Sequence, residues 1–248
     1  LSEPIELLIV TQGHPYDRSS FMAIFDADPG VNATAVEQPA AQVMLRPQNV
    51  EPYQAILFYD MSGVAPAEDP GTDYRTSIEA LLERGTGIVL LNHALLSWPK
   101  WPVWRALSRT SFLLRAQAGV PGSGFVDRAT TRLSAASRDH PVLAGLEDGF
   151  EITDELYLKT AGFESEVVPL LRSDYNFVQE EFSAPPLAPS EEQDRWQHPP
   201  GSNLVAWANS AGKSRVVASE LGDGPSAYEN PGFRKLVGNA VRWVARSR

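Results

Sequence analysis

The chain has 248 residues, no cysteine and a formal net charge of -10, and 43 % of its residues are hydrophobic. The length suits one large α/β domain, and the apolar fraction supplies its core. The acidic balance argues against nucleic acid and anionic membranes as partners, and the missing cysteines remove disulfides, thiolate zinc sites and a cysteine nucleophile.

No apolar run approaches the ~20 residues that span a bilayer. The cytoplasm is the expected compartment, with export left open. The first residue, Leu1, fits a removed leader and a trimmed tag equally.

IELLIV (Ile5 to Val10) reads as a buried strand, with TQGHPYD at its carboxyl end. Phe21, Ile24 and Phe25 follow at helical spacing. VNATAVEQ (Val31 to Gln38) alternates like a second strand, and AILFYD (Ala55 to Asp60) is a third buried run that ends in an acid. Tyr74, Ile78, Leu81 and Leu82 share one face of a helix that stops near Gly85. GIVLL (Gly87 to Leu91) is a fourth run. Strands and helices alternating at short intervals predict a mostly parallel sheet covered on both faces.

The middle is less regular. FVDRATTRLSAAS fits either a strand pair or one long strand, HPVLAGL a short helical turn, and ELYLK and EVVPLLRS two more strands. Residues 179–203 form a long surface loop rich in Pro, Glu and Ser, of the kind that serves as a lid or binding loop or is simply mobile. LVAWAN (Leu204 to Asn209), a turn at Ser210 to Lys213, and SRVVASEL (Ser214 to Leu221) complete the sheet. Asn230 caps the last helix and Pro231 suits its first turn; Phe233, Leu236, Val237, Ala240, Val241 and Val244 form its apolar stripe.

Ligands of open parallel sheets bind beyond the carboxyl ends of the strands. Those ends carry Gln12-Gly13-His14, Asp60, Asn92-His93 and Gly222-Asp223. Two of the four histidines fall there. Each residue also has a plain structural reading. His14 could cap a turn, His93 could bond a carbonyl in the core, and Asp60 could shape its loop. His140 fits a helix entry, and His198 could close over a ligand or face solvent. Asp154 and Glu155 are adjacent in a strand and point to opposite faces, so one of them at most enters a given pocket. Glu155 is the candidate acid or base among apolar neighbours. Trp98, Trp101 and Trp104 stand three apart, which fits core packing; Trp98, nearest His93, and Tyr228 are the candidate sugar-stacking rings.

There is no GxGxxG after the first strand, no Walker loop, no GxSxG elbow and no HExxH. Spacing alone predicts no metal, though histidines and acids from separate loops leave room for a divalent one.

TQGHPYD, YQAILFYDM, GIVLLNHALLSW, HPVLAGL, FEITDELYL, HPPGSNLVAW and GKSRVVASELGDGPSAYENPGFRKLVGNAVRWV, in that order, resemble the ThuA-like (trehalose-utilisation) family over nearly the whole chain. The resemblance implies a single flavodoxin-like three-layer domain related to the class I glutamine amidotransferases. Asn92-His93 occupies the turn that carries the nucleophilic cysteine in those enzymes, so the usual thiol route is excluded. Many relatives have two histidines where this chain has Asn92-His93, and another near Gly222 to Gly224, where it has none; if the family site uses those histidines as ligands or bases, this chain has lost part of it, which counts against both a metal site and catalysis.

The resemblance further implies a role in sugar catabolism, on disaccharides such as trehalose or their 3-keto derivatives. Two readings follow. One is an enzyme in which either His93 or Glu155 is the base and the other the acid, and His14 or a metal polarises a carbonyl. The other is a non-catalytic sugar-binding or interaction module, with Trp98 and Tyr228 stacking and Asp60 and Asp223 accepting hydroxyl hydrogen bonds. Asn92 and His198 are further candidate sugar contacts. The expected partner is a small carbohydrate, and a homo-oligomer is compatible with the chain's size.

Overall fold

A computed structural model describes residues 3–63, 69–110, 112–117, 119–185 and 188–245. Leu1 and two residues of the long loop, 186 and 187, lie outside the described residues.

Nine strands form one sheet: β1 (Ile5–Gln12), β2 (Val31–Glu37), β3 (Ala55–Asp60), β4 (Gly87–Leu91), β5 (Gly124–Ala135), β6 (Phe150–Leu158), β7 (Val168–Ser173), β8 (Leu204–Ala211) and β9 (Ser214–Ser219). Their order is β2-β1-β3-β4-β9-β8-β7-β5-β6. From β2 to β9 every pairing is parallel, with Leu7 opposite Ala55 and Ile88 opposite Val216. From β9 to β6 every pairing is antiparallel. The expectation of a mostly parallel sheet is therefore corrected: the sheet is mixed. The physical reason is connection length. Only Gly212 and Lys213 separate β8 from β9, too few for a parallel crossover. The segment FVDRATTRLSA forms one long strand, β5, that pairs with β6 across a register shift.

Successive residues of the parallel strands face opposite layers. Leu7, Ile9, Leu57, Tyr59, Val89 and Leu91 pack with the helices Arg18–Asp26 and Pro231–Ala245. Leu8, Val10, Ile56, Phe58, Ile88 and Leu90 pack with the helix Thr72–Arg84 and the helix Pro102–Ser108. Both long helices end or begin as their chemistry requires. Gly85 takes a left-handed conformation after Arg84. Asn230 Oδ1 accepts the Gly232 and Phe233 N–H groups. No helix among the described residues is long and apolar enough to cross a membrane.

The long loop is tied down at several points. Gln179 accepts the His198 N–H at 2.8 Å, and the Trp196 indole donates to the Gly122 carbonyl at 2.7 Å.

Candidate active site

β1 and β3 end side by side, with Gln12 opposite Asp60. Gly13 then turns at φ +98°, and a Cβ there would fall 2.2 Å from the Met61 carbonyl oxygen. Only glycine allows so close a crossing. The turn carries His14 over Tyr59. Its Nε2 lies 3.2 Å from the Tyr59 carbonyl and its Nδ1 3.1 Å from the Pro15 carbonyl.

β4 ends at Leu91, and Asn92 bends the chain at φ +48°. Asn92 is fully buried; its amide donates to the Tyr157 hydroxyl (3.3 Å) and to the Glu220 carbonyl (3.2 Å). This anchor presents His93 to His14, and the two imidazoles stack with centroids 4.0 Å apart.

β6 supplies the acids. Asp154 turns inward and accepts the N–H groups of Gly222 (2.7 Å), Asp223 (3.0 Å) and Glu155 (3.0 Å). These bonds pin the loop after β9. Glu155 projects from the other face, toward His93. Its Oε2 lies 3.8 Å from His93 Nε2, and Asp223 Oδ1 is also 3.8 Å from that nitrogen. Neither distance is a hydrogen bond. One atom each from His93, Glu155 and Asp223 lie within 4.8 Å of one another, a spacing that a divalent cation could span. Glu155 and Asp223 also line a cleft of about 720 Å³ with Tyr16, Asp127, Arg128 and Asp154, so both adjacent acids of β6 border one cleft, contrary to the expectation that at most one would.

Burial controls the proton affinities. It raises the Glu155 carboxyl to about 8, opposed by a hydrogen bond from Tyr157 and reinforced by Asp223, Asp154 and Asp127. Asp154 is raised to about 7 by burial, against its three N–H donors. Asp223 is raised by burial too. Burial and the neighbouring His14 lower His93 to about 3, and burial lowers His14. At neutral pH the imidazoles are neutral and Glu155 is largely protonated.

The structure thus brings His14, His93, Glu155 and Asp223 together. His14 arrives with both nitrogens against carbonyl oxygens, so its geometry is that of a wedge beside His93. Five expected sugar contacts are not presented to the cleft. Asp60 is fully buried on the opposite face of the sheet, bonded to Gln38 and Ser62, and burial raises it to about 6. Trp98 packs on Tyr74 and against Gly63 in that same layer. Tyr228 is fully buried; its hydroxyl meets that of Tyr59 at 2.5 Å and donates to the Asp223 carbonyl at 3.2 Å. Asn92 faces inward, as described. His198 is buried with its Nδ1 2.6 Å from the Pro199 carbonyl, and none of its bonds or ring contacts reaches His93. These positions are corrections to the sequence reading, which placed residues at strand ends without fixing which layer each faces.

Sequence reasoning missed the support beneath the site. Glu220 and Lys159 are buried and form an ion pair, and Lys159 Nζ lies 5.7–5.9 Å from the rings of Trp207, Phe177 and Phe163. Tyr157 stands two residues after Glu155 on β6, on the same face. That period-two relation to Glu155 was the available signal. Glu220 gave none, because one acid at the end of an apolar strand resembles a loop acid.

The ThuA family model, described as trehalose utilisation, matches residues 7–244. A ThuA-like protein from Parabacteroides merdae superposes with a TM-score of 0.74 at 16 % identity, covering 99 % of this chain and 91 % of its own. A ThuA-like protein from Bacteroides uniformis gives 0.70 at 18 %, covering 98 % and 93 %. PurLQS from Thermotoga maritima gives 0.56 at 15 %, covering 98 % and 99 %. No curated protein matches the sequence significantly. At these identities the solved structures speak for the fold.

Proposed function

The chain belongs to the ThuA (trehalose-utilisation) family, and from that premise we propose that it is a carbohydrate-catabolic enzyme that moves protons on a sugar or 3-keto-sugar. The observation that carries this reading is the meeting of His93 with Glu155 and Asp223, 3.8 Å from each, beside an acidic cleft.

A keto group acidifies the neighbouring C–H. In a 3-keto disaccharide, a base that takes the proton from C2 leaves an enolate. The electron pair can return to C2 from the other face, giving epimerisation; once the C2 hydroxyl has passed its proton to the C3 oxygen it can return to C3, giving the 2-keto isomer; or it can expel the glycosyl oxygen from C1, giving an enone. The departing oxygen then takes a proton. Glu155 is suited to carry the proton, because burial raises its carboxyl to about 8. His93, facing both acids, is its partner. Asp127 and Asp223 offer acceptors to sugar hydroxyls along the cleft. Such acid–base groups are worth about 100- to 10,000-fold each.

The non-catalytic alternative drew on Trp98 and Tyr228 as stacking rings, and both are buried. It has less support than the enzyme reading. The test is proton NMR of the protein with 3-keto-trehalose and, separately, trehalose. Conversion that is lost in His93→Gln and Glu155→Gln is expected. Shifted or broadened sugar signals without conversion would favour the binding module.

A further inference from the structure

We propose that His93 Nε2, Glu155 Oε2 and Asp223 Oδ1 together bind one divalent transition-metal cation. The donors come from three separate segments: the turn after β4, strand β6 and the loop after β9. All three contribute to one small triangle, whose ligand atoms lie within 4.8 Å of one another. For any such triangle one point lies within about 2.8 Å of all three corners. Side-chain adjustments of less than about 1 Å then reach the ~2.0–2.2 Å of metal–nitrogen and metal–oxygen bonds.

Three further observations point to a ligand there. First, Glu155 Oε2 is buried and has no hydrogen-bond partner. Second, His93 Nε2 has no hydrogen bond and faces only the two carboxylates, at 3.8 Å from each. Polar atoms taken out of water are normally paired, so an unpaired set aimed at one point asks for an occupant. Third, no basic side chain answers these acids. Among the described residues no lysine or arginine forms an ion pair with Glu155, Asp223 or the adjacent Asp154. Elsewhere the fold does answer a buried acid with a base, since Glu220 has Lys159. Once the cation displaces the Glu155 proton, two carboxylates and one neutral imidazole match its divalent charge.

The donor set also selects the ion. One nitrogen and two oxygens suit manganese or zinc better than magnesium or calcium, which prefer oxygen throughout. Three protein ligands leave positions open toward the cleft. The carbonyl and a neighbouring hydroxyl of a sugar fit them, which places polarisation of the carbonyl on the cation. Glu155, bound through one oxygen, keeps the other for the proton. The substrate part of this inference rests on the proposed function; the cation part does not.

The experiment is calorimetry of manganese or zinc chloride into EDTA-treated full-length protein, with manganese binding followed in parallel by loss of the free-ion EPR signal. One equivalent per chain is expected, with affinity at least tenfold weaker in Asp223→Asn and in His93→Gln. Should His93→Gln fail to fold, Asp223→Asn carries the test, because that side chain is 34 % exposed. Absence of binding by the parent protein, or equal binding by Asp223→Asn, would overturn the site. Bound cation without any sugar conversion would uphold the site and count against the catalytic reading. Sugar conversion by metal-free protein would uphold the catalytic reading and overturn the cation's role.

Discussion

Glu155 Oε2 stands 3.8 Å from His93 Nε2, and no hydrogen-bond donor reaches that oxygen. The two residues are brought together by separate devices. The Asn92 turn, at φ +48°, delivers His93, and the alternation of β6 delivers Glu155 to one face while Asp154 anchors the loop after β9 from the other. An acid held this way is costly to the fold, a cost that recurs at functional sites.

Glu155→Gln is therefore expected to lower sugar conversion by about 100- to 10,000-fold while leaving the fold intact. Steady-state assay beside a thermal melt checks both halves. A melting temperature that collapses would make Glu155 a structural residue instead.

Lys159→Met should be strongly destabilising. It leaves Glu220 buried with no counter-charge, which costs about 3–5 kcal/mol. Urea unfolding measures it. The double variant Lys159→Met/Glu220→Gln should recover most of that loss, because the pair is replaced by groups with no net charge.

Asp60 gives a pH dependence. Burial raises its carboxyl to about 6 from an ordinary 3.8, with Gln38, Ser62, Tyr74 and Trp98 around it. The folded state holds this proton more tightly than the unfolded state. Its contribution to stability is thus fully present below about 4 and is lost as pH rises through about 6, a difference of roughly 3 kcal/mol. Asp60→Asn should flatten the stability profile between pH 4 and pH 6. An unchanged profile would show that Asp60 is ionised at little cost.

Gly222→Ala should disturb the site from outside it. Gly222 sits at φ +111°, and a Cβ would meet the Phe233 ring at 2.8 Å. A strained non-glycine residue there costs about 1–3 kcal/mol. Because its N–H also holds Asp154, the loop that bears Asp223 should shift. Reduced stability together with weakened manganese binding is the expected pair of results.

The parallel half of the sheet was legible in the sequence. Its strands are short apolar runs bounded by turn residues; AILFYD and GIVLL coincide with β3 and β4. The antiparallel half was less so, because β5 and β6 carry mixed polarity and their partners are set by tertiary pairing. At the site, the positions of His14, His93, Glu155 and Asp223 at strand ends or on β6 were visible. What single-chain reading could not fix was orientation. Asp60 ends β3 and Trp98 follows β4, yet both turn into the opposite layer, and Tyr228, a candidate stacking ring, is buried beneath the Asp223 loop. A helix-start aromatic and a strand-end acid look alike in sequence whether they face a cleft or a core.

Deuterium exchange tests the central claim most directly. The protein is incubated in D2O with 3-keto-trehalose and the protons beside the keto group are followed by NMR. If Glu155 moves a proton at that carbon, the C2 proton signal should fade faster than in buffer alone, with or without net product, and Glu155→Gln should return it to the buffer rate. Exchange at the buffer rate in the presence of parent protein, with the sugar bound, would contradict proton transfer at this site.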